Sequence, residues 1–447
     1  MSVPVSLTMA FLAAAFAAPA PSRPIRFSLT LAQAETMARA HSLELKAAGE
    51  QAAAADDQAD AQFASLLPRV TLDGFYRYET VPQALPVTFN SLRSTQLGPT
   101  LTWTLWDEGA LYKSWKAQKA GAESQEEQAR LVQTQAILGA RLAYFQVLLA
   151  AEQARLLAES VAVTTAQYED ITRRFDAGAA SRIDVLESHQ EDLQRRKEFL
   201  NAQAALGTAL RELLQIIGRR GGYDLSRPVD ARTGFSLPEG LPTPTLLVDV
   251  EPLSRVSPEL AAAASGTWDR AHPQLLLFER QAESARLSAE GLSSAEYPRV
   301  QLQAQALYEY PTVTQHDYVT QKTVALTASI PLFEGWQTKK QIEQQGHLAS
   351  AADRRRDLAA EQIERDWERT HIRLDSLAEQ RAIDARRVSE SQELAHLVYV
   401  SYKAGRSTYI DVQIANLTAL QAKIQAAQTR AQILIQLATL AQLAGQG

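Results

Sequence analysis

At 447 residues, 46% hydrophobic and 21% charged, the chain has material for two or three ordinary domains or one long repeated one, and not the composition of a disordered segment. Its net charge is −6, with acids and bases mixed and no basic stripe to track a phosphate backbone, so nucleic acid is not an expected partner. No cysteine occurs, which excludes disulfides, thiolate metal ligands, a cysteine nucleophile and a lipid carried on cysteine.

Residues 1–20 are small and apolar, from Val5 and Leu7 through Phe11, Leu12 and Phe16 to Ala17-Ala18-Pro19-Ala20. They read as a secretory signal, without the usual basic n-region since the first basic residue is Arg23; the alternative is an uncleaved alanine-rich tail. Downstream no uncharged apolar run reaches ~18 residues, so no membrane-spanning helix is expected.

Residues 21–218 form a first unit. After an initial helix come two strand segments, 69–79 and 95–105. In one, Val70, Leu72, Tyr76 and Tyr78 alternate with Arg69, Thr71, Asp73, Arg77 and Glu79; in the other, Leu97, Leu101, Trp103 and Leu105 alternate with Gln96, Thr100, Thr102 and Thr104. A helical stretch follows, rich in alanine, glutamine, leucine, glutamate and arginine and broken only near Gly178. Leu138, Leu142, Phe145 and Leu149 make one apolar stripe, and Leu186, Leu193, Leu200 and Leu214 another on a seven-residue grid, so both are expected to pack helix on helix. A helix of ~65 residues would reach ~100 Å, which suits a tube or stalk better than a compact domain.

Residues 219–270 read as a connector with short elements, because Gly221, Gly222, Pro228, Pro238, Pro242, Pro244 and Pro252 interrupt regular structure. Residues 271–447 then repeat the first unit, with strands at 299–310 and 322–330 and a helix break near Gly405. Leu67-Pro68-Arg69-Val70 recurs as Tyr297-Pro298-Arg299-Val300, and Trp106-Asp107-Glu108-Gly109 as Leu332-Phe333-Glu334-Gly335. Gly178, Asp184 and Gln215 recur as Gly405, Asp411 and Gln442, a period of about 227 residues. The chain is a duplication.

Alternation by itself also suits a water-soluble sandwich. Strands of ~9–11 residues with tyrosine or tryptophan near their ends match a tilted bilayer-spanning barrel. Four strands cannot close one, and an open edge in lipid leaves backbone groups unsatisfied, so oligomerisation is expected; three copies supply twelve strands. At each helix break, glycine can take the left-handed conformation that ends a helix. Ser181 or Thr408 follows, then Asp184 or Asp411 three residues on, the spacing of a capping box. Capping is the plain role of both aspartates, and lining a pore is compatible with it.

Across nearly all of the chain beyond residue 20, these motifs resemble the TolC family of outer-membrane efflux proteins. Ala143-Tyr144-Phe145-Gln146-Val147-Leu148 is similar to the family's run in its first long helix, and Ser329-Ile330-Pro331-Leu332-Phe333-Glu334-Gly335 to its strand-to-helix junction. Residues 174–185 and 402–412 resemble its paired helix-turn-helix tips.

The resemblance implies an α+β membrane protein: a homotrimer whose copies each give four strands to a twelve-stranded outer-membrane barrel in contact with lipid, above a long α-helical barrel crossing the periplasm. It also implies a periplasmic adaptor and an energised inner-membrane transporter as partners, and an entrance opened by movement of the helix pairs. Tyr402 and Asp184 fall where the family holds its entrance shut, and Asp411 where it places a constricting carboxylate ring. Ile414 stands at the second carboxylate position. Ser407 stands at the gate arginine's position, with Arg406 and Arg182 as candidate substitutes. Gly178, Ala179, Ala180, Gly405, Arg406 and Ser407 are the expected adaptor contacts. A carboxylate ring at a narrow entrance would concentrate cations and raise at least one of its own pKa values.

No HExxH, Walker, GxSxG or dinucleotide glycine motif is present, and His41, His189, His272, His316, His347, His371 and His396 show no ligand spacing, so no catalytic residue, metal or cofactor is expected. The rival is a periplasmic coiled-coil adaptor or scaffold without a pore.

Overall fold

A computed structural model describes residues 25–78, 93–219, 229–232, 246–253, 267–310 and 317–445. The segment 1–20 expected to be a signal, Glu79 of the first expected strand and much of the expected connector lie outside them.

In chain order the elements are β1 (Ile25–Leu29), α1 (Leu31–His41), α2 (Leu43–Ala64), β2 (Arg69–Tyr78), β3 (Arg93–Trp106), α3 (Ala110–Asp176) and α4 (Arg182–Ile216). Then follow β4 (Val229–Arg232), β5 (Leu246–Val250), α5 (Pro273–Ser294), β6 (Arg299–Tyr310), β7 (Val319–Ser329), α6 (Gln337–Lys403) and α7 (Tyr409–Leu443). Strands β3 and β7 run slightly past the expected 95–105 and start before the expected 322, because backbone pairing continues where side-chain alternation fades. Helices α3 and α6 are both 67 residues long, and α4 and α7 both 35.

Strands β2-β3-β6-β7 make one antiparallel sheet in that order. Residues directly opposite share a face, so Val70, Leu101, Ala304 and Val324 line up, as do Trp103, Leu302 and Leu326. The other face carries Thr71, Thr100, Gln305 and Thr323 in one row and Thr104, Gln301 and Thr327 in another. The apolar face stands open in the single chain, with Val70, Leu72, Val324 and Leu326 all exposed. Gly98 is required where β3 meets β6: a Cβ there would lie 2.0 Å from the Ala306 carbonyl oxygen. At the foot of the sheet the chain turns into a helix through left-handed elbows, Glu108-Gly109 and Gly335-Trp336, so it reverses character without a long loop.

Below the sheet, the described residues of the connector do more than connect. Strands β1, β5 and β4 form a parallel three-stranded sheet against the middle of the helices. Its anchor is Tyr144 of α3, fully buried, whose hydroxyl donates to the Leu29 carbonyl (2.9 Å) and accepts from the Glu251 amide (3.3 Å). Around it lies the largest core, with Phe145, Leu148, Leu210, Leu213, Leu434 and Ala438. Burial pushes the Tyr144 hydroxyl well up.

One window of α3 is apolar enough in composition to cross a membrane, yet 56% of it is buried in the protein, which marks a core helix. The seven-residue grid on α4 behaves differently from expectation. Leu214 is buried, but Leu186, Leu193 and Leu200 are about half exposed in the single chain, because α4 packs mainly on α3, meets β4 and α7 over shorter stretches, and turns this stripe away from them.

Candidate functional site

The helices lie side by side in the order α4, α3, α7, α6 in the lower half and α2, α3, α5, α6 in the upper half. The lower ends of the pairs α3/α4 and α6/α7 come together as one tip.

Both turns at that tip are built alike. Gly178 has φ 75° and Gly405 φ 73°. The Ala179 amide donates to the Arg174 carbonyl (2.7 Å) and the Arg406 amide to the Ser401 carbonyl (3.0 Å), the six-to-one bond of a glycine-ended helix. Ser181 and Asp184, and Thr408 and Asp411, form complete capping boxes for α4 and α7. Asp411 is exposed. The Thr408 hydroxyl and amide both donate to it (2.7 and 2.9 Å) and hold its carboxyl below the usual range, a local pull opposite to the upward push expected of a carboxylate ring. Ile414 is 60% exposed, one turn further along α7.

Between the pairs, Tyr402 donates to Asp184 (3.2 Å), so the two residues singled out for holding the entrance shut are in contact, and Asp184 serves cap and clasp together. Three further residues belong to the same joint and escaped the sequence reading. Tyr399, one turn above Tyr402, donates to Asp170 (2.9 Å). Arg174 reaches from α3 to the Lys403 carbonyl (3.0 Å) in the last turn of α6, and its guanidinium lies 5.5 Å from the Tyr402 ring centre. Such a donor suits a helix end with unsatisfied carbonyls.

Burial, then the neighbouring aspartate, pushes the Tyr399 and Tyr402 hydroxyls up to about 12, so both remain donors at any physiological pH. Arg182 lies over Phe175, 6.0 Å from its ring centre, and Arg406 stands exposed in the turn; the cations against the two tyrosines are Arg174 and Lys403, the latter 4.9 Å from the Tyr399 ring centre. Ser407 donates back to the Val398 carbonyl (3.2 Å). The missed residues left a signal: Asp170 and Arg174 are four apart, Tyr399 and Tyr402 three apart, spacings that place each pair on one helical face.

Gly178, Ala179, Gly405 and Arg406 are exposed at the extreme end, Ala180 and Ser407 half-buried beside them. No group of three or more potential metal ligands occurs among the described residues.

The family model described as outer membrane efflux protein matches this chain twice, over residues 36–219 and 269–446, one match for each repeat. The chain belongs to the outer membrane efflux protein family. Its members are outer-membrane channels rather than enzymes, and this protein is an efflux channel of the outer membrane with a long periplasmic helical extension. That removes the poreless scaffold as an alternative. Channels of this family are trimeric and work with adaptors and inner-membrane transporters.

Among solved structures the fold is similar to the outer-membrane channel OprN, with TM-score 0.74, 17% identity, and 93% of this chain and 90% of that one covered. It is also similar to VceC of Vibrio cholerae (0.74, 14%, 93% and 96%) and CmeC of Campylobacter jejuni (0.75, 14%, 93% and 86%). These identities carry the fold alone. No curated protein matches the chain in sequence.

Proposed function

We propose that three copies of this chain close a continuous duct, and that its periplasmic entrance is held shut by Tyr402 on Asp184 and narrowed by a ring of Asp411 carboxylates, with an Ile414 ring one turn further from the tip. The observation that carries this reading is the pair of open edges running the whole length of each copy.

Among the described residues, β2 and β7 each lack a partner on one side of the sheet; in lipid, such edges demand pairing, and three four-stranded sheets joined β7 to β2 satisfy every backbone group. The apolar face then meets lipid and the threonine and glutamine rows meet water. Helix α6 is the outer member in both halves, facing α2 above and α4 below of the next copy. The half-exposed Leu186, Leu193 and Leu200 supply the apolar stripe such a seam needs.

The exposed turns, with Gly178, Ala179, Ala180, Gly405, Arg406 and Ser407, are the surface for an adaptor that couples the duct to an energised inner-membrane transporter. Docking there pulls on the turns that carry the capping aspartates, so it acts on the clasp directly. Charge at the constriction selects cations.

The test is planar-bilayer conductance of the detergent-extracted protein with its oligomer mass measured on the same sample. A trimer with small cation-biased currents is expected. Tyr402→Phe, which deletes one hydrogen bond to a charged group, should raise the opening frequency by about tenfold, and Asp411→Ala should remove the cation bias. A monomer without conductance would overturn the reading.

A further inference from the structure

The closed tip contains polar atoms that the clasp leaves without partners. Tyr409, the first residue of α7, is 1% exposed, wedged among Ile171, Val185, Tyr402 and Val412 from all four helices of the joint. Its ring meets that of Tyr402 edge-on at 5.7 Å, yet its hydroxyl has no hydrogen-bond partner among the described residues. A second orphan lies close by: Nη1 of Arg174 is buried and unpaired, although Nη2 bonds the Lys403 carbonyl. Only three other buried side-chain atoms among the described residues share this condition, Thr95 Oγ1, Glu127 Oε2 and His272 Nε2, none of them at the tip.

A buried donor without an acceptor forfeits the water it would have in the open, and this loss is larger than the net gain from an ordinary hydrogen bond. Three bonds oppose it, from Tyr399, Tyr402 and Arg174, all landing on or leaving one face of the last two turns of α6. Separation of the α3/α4 pair from the α6/α7 pair breaks those bonds and, in the same movement, hydrates both orphans.

We infer that Tyr409 is a built-in opener: its unpaired buried hydroxyl destabilises the closed entrance against the Tyr399, Tyr402 and Arg174 clasp, so that the gate rests near balance. This rests on the reading of the tip as the entrance. Two tyrosines in ring contact thus act with opposite sign. Removing the Tyr402 hydroxyl loosens the closed state, whereas removing the Tyr409 hydroxyl tightens it without changing the shape of the core.

The experiment compares wild type, Tyr402→Phe and Tyr409→Phe as full-length trimers, by single-channel recording and by amide hydrogen exchange over residues 399–412. Trimer mass is checked for each variant. Tyr409→Phe should open less often than wild type by a factor of roughly five or more, with slower exchange at the tip. Opening as frequent as in wild type, or more so, from an intact Tyr409→Phe trimer overturns the inference. If no variant and no wild-type trimer conducts, the duct reading fails instead. Where the trimers conduct, exchange at the tip that is slower in Tyr409→Phe supports the opener, and unchanged or faster exchange refutes it.

Discussion

Helices α3 and α6 are repeat counterparts of identical length, 67 residues, and they live in opposite surroundings. Along α3 the buried residues run almost without a break from Ala117 to Ile171, because α2 or α4 lies on one side, α5 or α7 on the other, and α1 over the middle. Along α6 they thin to a single file, Ile363, Thr370, Leu377, Asp384 and Ser391, each seven residues from the last. That file is a coiled-coil seam to α7, shared at Ile363 with Leu275 of α5. Duplication copied the length and the turn; position in the assembly decided what each helix could bury. The first copy became the centre of the protomer and the second its edge.

The largest effect is expected at the centre. Phe145→Ala empties a fully buried site beside Tyr144, and a loss of about 3–5 kcal/mol is expected; a melting temperature within a degree of wild type would mean that α3 is not the centre. The edge should respond differently. Ile372 on α6 and Leu193 on α4 are 71% and 52% exposed in the single chain. Glutamate at either position should leave far-ultraviolet circular dichroism of the protomer near wild type while abolishing the trimer in detergent. If the trimer survives both changes, the outward stripes are not the seam between copies.

The smallest effect is expected at the turn that both repeats share. Thr408→Ala removes the hydroxyl that holds the Asp411 carboxyl down, and should fray the first turn of α7 by about 1 kcal/mol, read as faster amide exchange. The sign of its pH dependence follows. A carboxyl lowered on folding stabilises the folded state above its unfolded pKa and loses that contribution as pH falls through the folded value. Wild type and Thr408→Ala should therefore differ most near neutrality, and the gap should narrow as pH falls below about 4, leaving only the pH-independent cap bond to the Asp411 amide.

Much of this was legible in residues alone because its causes are local. Glycine is needed where φ is positive, so Gly178 and Gly405 mark the helix ends by themselves. Serine, threonine and aspartate three apart cap the next helix, and alternation along 69–78 and 299–310 follows from the two-residue period of a strand. The bond between Tyr402 and Asp184 was reachable only by resemblance, since nothing local joins residues 218 positions apart.

The tertiary structure decided the rest. It recruited connector strands β4 and β5 into a sheet with β1 around Tyr144, because that buried hydroxyl needed both an acceptor and a donor at one point in space. It turned Leu186, Leu193 and Leu200 outward, because a heptad stripe specifies that a partner helix exists but not which chain supplies it. It brought Arg174 of α3 to the Lys403 carbonyl, because a guanidinium goes to an unsatisfied carbonyl, and the free end of α6 lies beside α3 only once the two halves have folded against each other.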